Sequence, residues 1–197
     1  ETDRQKAEQE IDNQLQKLAK LIPHYIVGSE EDSLESVTGQ LLRDRGETLA
    51  TAESCTGGNI AHRFTAMPGA SDYFKGGVVA YSNEVKMALL GVDPESLNQY
   101  GAVSQSVAEQ MAEGVRRATG ATYGISTTGI AGPTGGTPDK PVGTVWMAVA
   151  TPHGVFSRRM VFGSIRSQNI ERASSNCINL LRLHLLGFSN LPLSDNV

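Results

Sequence analysis

The sequence predicts a three-layer α/β/α domain in which helices cover both faces of one mixed sheet. Short apolar segments alternate along the chain with segments whose apolar residues recur at helical spacing. Turns rich in glycine, proline or polar residues separate these segments. Near the end of the chain, two apolar segments flank the tight turn 152–154, as in an antiparallel hairpin. Alternating helices and strands that end in a hairpin therefore predict a layered α/β fold.

Residues 1–30 are predicted to be the end of a preceding module or a linker. Residues 1–21 are polar, and their apolar positions recur every three or four residues, as in a helix. These positions are Ile11, Leu15, Leu18 and Leu21. Pro23 ends the helix, residues 25–28 are typical of a short strand, and the polar residues 29–33 mark a boundary. A segment of this size is too small to hold a core alone.

The main domain is assigned to residues 31–188, followed by a frayed tail at 189–197. Its helices are predicted from helical apolar spacing and end caps, and its strands from apolar runs bounded by turns. The predicted elements are a helix from Leu34 closed by Gly46, strand 48–53, helix 58–66, strand 77–82, a helix capped by Asn83 and ending near Leu90, helix 105–119, strand 123–127, a glycine-rich loop 129–141, hairpin strands 144–151 and 155–162, and helix 166–186.

Composition excludes several classes of function. The formal net charge is −4, and there is no basic block and only one Trp, which argues against a nucleic-acid-binding protein. No apolar run approaches the roughly 20 residues of a membrane span, and the charged first residues lack a signal-peptide core. Two cysteines do not make a disulfide framework. These features predict a cytoplasmic protein that binds neither nucleic acid nor membrane.

The segment 52–58 predicts a nucleophile site, because a strand there breaks into a turn of small residues and then a helix. This geometry lifts a hydroxyl or thiol from a sheet edge and aims backbone N–H groups above it. Ser54 is the leading candidate, with a purely structural helix cap as the alternative. Cys55 is a rival that would need a histidine, but His62 lies two helical turns on and points away. Glu53 is predicted to accept hydrogen bonds near the turn or to form a salt bridge.

Lys86 is the candidate base for Ser54, because a serine hydroxyl needs an adjacent base to attack. A free lysine titrates near ~10.4, so its pKa must fall before it can act at neutral pH. Its place in the first helical turn contributes only about 0.3–1 kcal/mol toward this, so burial must supply the rest. The alternative is a solvated surface lysine.

The segment 127–136 places strand-end hydroxyls before several glycines. Its backbone N–H groups could approach a ligand closely and form an oxyanion hole or a phosphate cradle. A flexible surface loop is the alternative. The segment is neither a Walker loop nor a dinucleotide fingerprint. No cluster of metal-ligating residues appears in the sequence, so a protein-held metal is not expected. Arg166, near a helix start, is a weak candidate for binding phosphate.

Five ordered motifs resemble the C-terminal domain of CinA, a competence/damage-inducible protein, and its nicotinamide-nucleotide amidase (PncC) family. They are 51–58, 81–84 with Lys86, 101–104, 128–133 and 140–146. The resemblance implies hydrolysis of nicotinamide mononucleotide to nicotinate mononucleotide and ammonia, without metal or cofactor. It also implies a homo-oligomer, with a dimer favoured.

By position, the resemblance implies a catalytic set of Ser54, Lys86, Tyr81 and Thr128, with Tyr81 and Thr128 as supporting hydroxyls. The substrate-binding residues it implies, together with the turns above, are Glu53, Cys55, Thr56, Gly57, Gly58, Asn83, Gly129, Ile130, Ala131, Gly132 and Arg166. Many relatives carry Gly-Asp-Arg after the last strand, whereas residues 163–166 here keep the arginine without the aspartate. The alternative function is a catalytically silent nucleotide-binding or oligomerisation domain of a CinA-type protein.

Overall fold

The computed structural model describes residues 3–188 of the 197-residue chain, so the tail predicted at 189–197 lies outside the described residues. The chain divides into two units, Glu1–Ser33 and Leu34–Val197. In the first unit, helix α1 spans Asp3–Leu21, as the apolar spacing predicts, and none of its residues is buried.

The strand predicted over 25–28 is wrong. A turn at residues 23–25, in which the Tyr25 N–H donates to the Ile22 carbonyl at 3.0 Å, is followed by irregular chain at 26–28. A strand needs a neighbour to pair with its backbone N–H and C=O groups. The described part of this unit, residues 3–33, contains no strand with which residues 25–28 could pair.

The second unit is built on a five-stranded sheet. The strands are β1 (Leu49–Glu53), β2 (Phe74–Val79), β3 (Tyr123–Gly129), β4 (Thr144–Thr151) and β5 (Gly154–Val161). Their order in the sheet is β2-β1-β3-β4-β5. β1 pairs in parallel with β2 and β3, whereas β4 runs antiparallel to β3 and β5. The sheet is therefore mixed and ends in the predicted hairpin.

Helices cover both faces of this sheet. Within residues 34–188 they are α2 (Leu34–Arg45), α3 (Asn59–Thr65), α4 (Asn83–Leu90), α5 (Pro94–Tyr100), α6 (Gln105–Thr119) and α7 (Arg166–Leu185), with a short 3-10 turn at Ala70–Asp72. α6 packs on the sheet with α4 and α5 beside it, and α7 packs on it with α2 and α3. The predicted three-layer α/β/α fold is confirmed.

The two faces of the sheet differ in the size of their side chains. Side chains alternate between faces along a strand, so Ile125 packs in the large cluster on the α7 side, while the Ser126 hydroxyl donates to the Ala108 carbonyl of α6 at 2.6 Å. The α6 face is lined by small residues, including Ala148 and Ala150. α4 also lies so close to α6 that a Cβ at Gly114 would overlap the Leu90 carbonyl. These close approaches hold α6 against the sheet and α4 against α6.

Two differences from the sequence prediction affect the site. β2 ends at Val79 rather than Ser82, so Ala80 and Tyr81 have left the sheet. Helix α5 was not predicted, although its start carries an Asp93 N-cap and a proline at its first turn. Because β1, β2 and β3 are parallel, all three end at one edge of the sheet, where ligands commonly bind in α/β folds.

Candidate active site

Ser54 directly follows β1 and opens the turn that leads into α3. Its N–H donates to the Thr127 carbonyl at 3.0 Å, which continues the pairing of β1 with β3 by one residue. The Gly57 N–H donates back to the Ser54 carbonyl at 3.2 Å. Gly57 and Gly58 have φ angles of 64° and 97°, which glycine adopts without steric cost. The predicted strand-to-helix turn is present, and Ser54 remains 9% exposed at its start.

The carboxylate of Glu53 holds this turn from the inside. Its Oε2 accepts hydrogen bonds from the Thr56 hydroxyl at 2.7 Å and from the N–H groups of Gly58 and Ile60 at 3.0 Å. Its Oε1 accepts from the Ala61 N–H at 2.8 Å. A carboxylate in this position caps the first turn of α3 and complements its dipole. Glu53 is fully buried and uses both oxygens within the protein, so its expected place among the substrate-binding residues is corrected to one that positions Ser54.

Helix α4 brings Lys86 to the same edge of the sheet. The N-cap of α4 is Ser82, whose hydroxyl accepts from the Val85 N–H at 3.4 Å, so the cap predicted at Asn83 is wrong by one residue. Asn83 is instead the first residue of the helix. This start places Lys86 in the first turn, with its side chain directed back toward the strand ends.

The amine of Lys86 is buried and fully surrounded by oxygen atoms. Its Nζ lies 3.2 Å from Ser54 Oγ, 2.8 Å from the Ala80 carbonyl oxygen and 3.4 Å from that of Tyr81. Only 1% of Lys86 is exposed, so it is not the solvated surface lysine considered as the alternative.

Burial lowers the pKa of Lys86 from its ordinary 10.5, because the charged ammonium loses its hydration. A thiolate at Cys55 and the carboxylate of Glu84 would favour the charged amine and oppose this shift. Burial also raises the pKa of the Cys55 thiol to about 12, so Cys55 is a neutral thiol at neutral pH. Burial therefore makes the neutral form of the Lys86 amine easier to reach beside the Ser54 hydroxyl, and leaves Cys55 as a thiol that is not a nucleophile.

A cavity of about 190 Å³ opens above Ser54 and Lys86. The sequence-predicted site residues that line it are Ser54, Cys55, Tyr81, Asn83, Lys86, Thr128, Gly129, Ala131 and Arg166. Ligand sites for whole drug-sized molecules usually measure ~300–1,000 Å³. This cavity is therefore sized for the reacting end of a ligand whose remainder extends outside.

Six of the predicted substrate-binding residues do not line this cavity: Glu53, Thr56, Gly57, Gly58, Ile130 and Gly132. The Thr56 hydroxyl lies 2.7 Å from that of Thr127, on the side of the turn occupied by Glu53. The N–H of Ile130 is bonded to the Thr144 carbonyl at 2.8 Å. These six residues support the two loops from behind the cavity rather than lining it.

The two supporting hydroxyls have partners other than Lys86. The Thr128 hydroxyl donates to the Ala102 carbonyl at 2.7 Å, which ties the end of β3 to the segment before α6. The Tyr81 hydroxyl accepts from Arg166 Nη2 at 3.3 Å, and it is the Tyr81 carbonyl that contacts Lys86. The Tyr81 backbone carbonyl thus contacts Lys86, and the supporting roles expected of the two hydroxyls stay predictions.

Arg166 enters the cavity from the first residue of α7. Its Nη1 donates to the Gly132 carbonyl at 3.0 Å and its Nη2 to the Tyr81 hydroxyl. Within residues 3–188 no carboxylate lies within ion-pair distance of it. The guanidinium is thus aimed into the cavity by neutral groups and keeps its charge for an anion.

The cavity also contains residues that the sequence did not single out as a site. Ala102 and Val103 line it, and the carbonyl of Ala80 holds Lys86. Ala102 and Val103 belong to one of the ordered motifs, which was the available signal. Nothing about Ala80 could have indicated its role, because only its backbone takes part.

Among residues 3–188, no group of three or more His, Cys, Asp or Glu side chains is arranged to hold a metal ion. In the same residues, no helix is both long enough and apolar enough to cross a bilayer.

Comparisons with known proteins place the chain in a family. The profile of the family described as CinA C-terminal domain matches residues 31–185. A CinA-like protein of Salinibacter ruber is 53% identical over 157 residues, which are 80% of this chain and 38% of that protein. A CinA-like protein of Synechocystis is 54% identical over 151 residues, which are 76% of this chain and 36% of that protein. The chain thus spans well under half the length of these relatives.

The fold is similar to that of a solved structure in the same group. The crystal structure of the competence/damage inducible protein CihA from Agrobacterium tumefaciens superposes with a TM-score of 0.73 at 34% identity. The match covers 81% of this chain and 99% of that one. With the family profile spanning residues 31–185, the chain belongs to the CinA family through its C-terminal domain.

Proposed function

We propose that this domain is an amidohydrolase that converts nicotinamide mononucleotide to nicotinate mononucleotide and ammonia. The observation that carries the proposal is the 3.2 Å contact between the buried Lys86 amine and the Ser54 hydroxyl. A hydroxyl on a strand-to-helix turn beside a desolvated amine is the equipment of a serine–lysine hydrolase.

A charged Lys86 can donate to all three oxygen atoms near it, whereas its neutral amine has two N–H bonds and one lone pair. The carbonyl oxygens of Ala80 and Tyr81 can only accept hydrogen bonds, so the two N–H bonds serve them. The lone pair is left for the O–H of Ser54. In this form Lys86 is ready to take the Ser54 proton.

The reaction proceeds by acyl transfer. Ser54 Oγ attacks the carboxamide carbon while Lys86 accepts its proton, and the protonated amine then delivers that proton to the departing ammonia. Water, deprotonated by the regenerated Lys86, attacks the resulting ester, and Ser54 recovers its proton as the acid leaves. General acid–base catalysis of this kind contributes about 10²–10⁴-fold to the rate.

Backbone N–H groups of the Ser54 turn stabilise the oxyanion. Those of Ser54, Gly57 and Gly58 are already bonded within the protein. Among residues 3–188, the N–H groups of Cys55 and Thr56 have no oxygen acceptor. In strand–turn–helix nucleophile sites the residue after the nucleophile supplies an oxyanion donor, so we assign Cys55 first. One such donor is worth roughly 10²–10³ in turnover.

Arg166 recognises the anionic end of the substrate. It lines the same cavity as Ser54 and Lys86, and a guanidinium that has no carboxylate partner suits a phosphate. The cavity takes the pyridine carboxamide, and the ribose phosphate lies toward its mouth beside Arg166. The absence of an aspartate from residues 163–166 leaves the charge of this arginine uncompensated locally.

The rival function is a silent binding or assembly domain. Lys86 is only 1% exposed and lies against a serine. Burying an ionisable amine opposes folding, and a binding module would gain nothing in return. The buried pair therefore favours the enzyme.

Ammonia release from nicotinamide mononucleotide by the purified protein tests the proposal. We expect stoichiometric ammonia and nicotinate mononucleotide, unchanged by EDTA, with background release only from Ser54→Ala. A folded wild type that binds the nucleotide and releases no ammonia would establish the silent domain instead.

A further inference from the structure

A second cavity, of about 380 Å³, lies next to the first and is not used by the proposed reaction. Its walls include Tyr100, Lys140, Trp146 and Arg159. Val103 lines both cavities, so they are neighbours separated by the segment that precedes α6.

The register of the sheet explains why the cavities adjoin. Thr128 on β3 pairs directly with Trp146 on β4, and Trp146 pairs directly with Arg159 on β5. Residues directly opposite one another on neighbouring strands lie on the same face of a sheet. Thr128 belongs to the catalytic cavity, so Trp146 and Arg159 extend the same face into the second one.

The second cavity carries two cations whose charge is not neutralised. Lys140 Nζ donates to the Tyr100 carbonyl at 2.6 Å, and Arg159 Nη2 donates to the Asp139 carbonyl at 3.2 Å. Both acceptors are uncharged. Within residues 3–188 neither cation has a carboxylate within ion-pair distance, although the Asp139 side chain also lines the cavity. A protein of net charge −4 thus keeps a local positive site.

Aromatic and cationic groups in one cavity suit a ligand that is both planar and anionic. The indole of Trp146 and the ring of Tyr100 offer flat apolar surface, on which a heteroaromatic ring can stack. Lys140 and Arg159 offer charge-assisted hydrogen bonds to a phosphate.

We propose that this second cavity is a binding site for a nucleotide-class anion, a heteroaromatic base that carries a phosphate. The site is separate from the proposed amidase reaction, and its occupation requires no chemistry at Ser54.

Trp146 makes this proposal directly measurable, because it is the only tryptophan of the chain. Its fluorescence is titrated with AMP, adenosine and inorganic phosphate as probes. We expect a saturable change with AMP, and binding of adenosine and of phosphate roughly tenfold weaker or less, since each lacks half of the recognised groups. Phosphate that binds as tightly as AMP would overturn the aromatic part of the site, and adenosine that binds as tightly would overturn the anionic part.

Variants locate the binding. Lys140→Gln and Arg159→Gln should each weaken AMP binding by roughly tenfold or more, whereas Lys75→Gln, an exposed lysine on β2, should leave it unchanged. Ser54→Ala should also bind AMP as wild type does, so an inactive enzyme does not obscure the result. If Arg166→Gln removes the AMP response and Lys140→Gln does not, AMP occupies the catalytic cavity and the proposal is wrong. The absence of any saturable change with AMP would overturn it as well.

Discussion

The carbonyl oxygen of Ala80 lies 2.8 Å from the Nζ of Lys86, closer than the Ser54 hydroxyl at 3.2 Å. The segment between β2 and α4 therefore holds the amine that α4 supplies. Because β2 and β1 are parallel neighbours, the end of β2 aims Lys86 at the residue that follows β1. Backbone carbonyl oxygens thus fix the position of Lys86, the proposed base. A mobile surface lysine would lack such contacts.

The rate of amide hydrolysis should rise with pH, because the lowered pKa of Lys86 sets the fraction of neutral amine. Below that pKa the amine is charged and cannot accept a proton, so kcat/KM should climb through it and then level off below pH 10.5. Glu84→Gln removes a negative charge that favours the ammonium, so it should move the acid limb to lower pH. The pH profile of kcat/KM at low salt measures this.

Glu95→Gln, an exposed carboxylate at the start of α5, is the matched control and should leave the limb in place. Glu84 is exposed, so its effect should be a fraction of a pH unit and should shrink as salt is added. If the acid limb of the kcat/KM profile moves to higher pH in Glu84→Gln, the assignment of the base to Lys86 is contradicted.

Glu53→Gln should lower both stability and turnover. The amide cannot accept at both ends, so at least one of the four donors around Glu53 loses its acceptor inside the protein. An unsatisfied buried group costs about 1–3 kcal/mol, and a displaced Ser54 can cost up to about 10² in kcat. Urea unfolding and steady-state kinetics measure the two effects. Glu171→Gln, whose carboxylate is largely exposed, should change stability by less than about 0.5 kcal/mol. Equal stability of the two variants would mean that Glu53 does not hold the turn.

Cys55→Ala should retain turnover to within about an order of magnitude. Burial raises the pKa of this thiol to about 12, so it is not a thiolate at neutral pH and is not the nucleophile. Iodoacetamide at pH 7.5 should leave wild-type activity intact, since Cys177 is buried as well. Inactivation by iodoacetamide that substrate prevents would point to Cys55 as the nucleophile.

Arg166→Gln should raise KM for nicotinamide mononucleotide and leave kcat nearly unchanged. A charge-assisted hydrogen bond to phosphate is worth about 1.5–3 kcal/mol, which corresponds to roughly ten- to hundredfold in binding. Nicotinamide riboside, which lacks the phosphate, is the matched substrate, and its kcat/KM should be the same for both proteins. A fall in kcat/KM of equal size for both substrates would show that Arg166 does not read the phosphate.

The placement of Ser54, Lys86 and Thr128 around one cavity could be predicted from the sequence. Ser54 and Thr128 directly follow strands predicted from apolar runs, and Lys86 lies near the start of the helix after another such strand. Parallel strands end at one edge of a sheet, so these three residues come together there. Helix α5 could also have been predicted from the sequence, because Asp93 and the proline after it are typical of a helix start. It was missed because so short a helix shows no apolar stripe.

Other features depend on three-dimensional detail that the sequence does not carry. Ser82 and Asn83 are equally good caps, and only the extended backbone of Ser82 decides between them. The sequence shows only that Glu53 is an acidic residue beside a turn. Its position beneath α3 follows from the direction of β1, not from its residue type. The short apolar run at 25–28 has the composition of a strand, but residues 3–33 as described contain no strand with which it could pair.

A double-mutant cycle on kcat/KM for nicotinamide mononucleotide, with Ser54→Ala, Lys86→Met and the double variant, tests the central claim most directly. Because the two side chains act as one unit, we expect each single variant to lose nearly as much activity as the double variant. Circular dichroism and urea unfolding confirm that each variant is folded. Additive losses, or a folded Lys86→Met that retains wild-type activity, would contradict a serine–lysine mechanism.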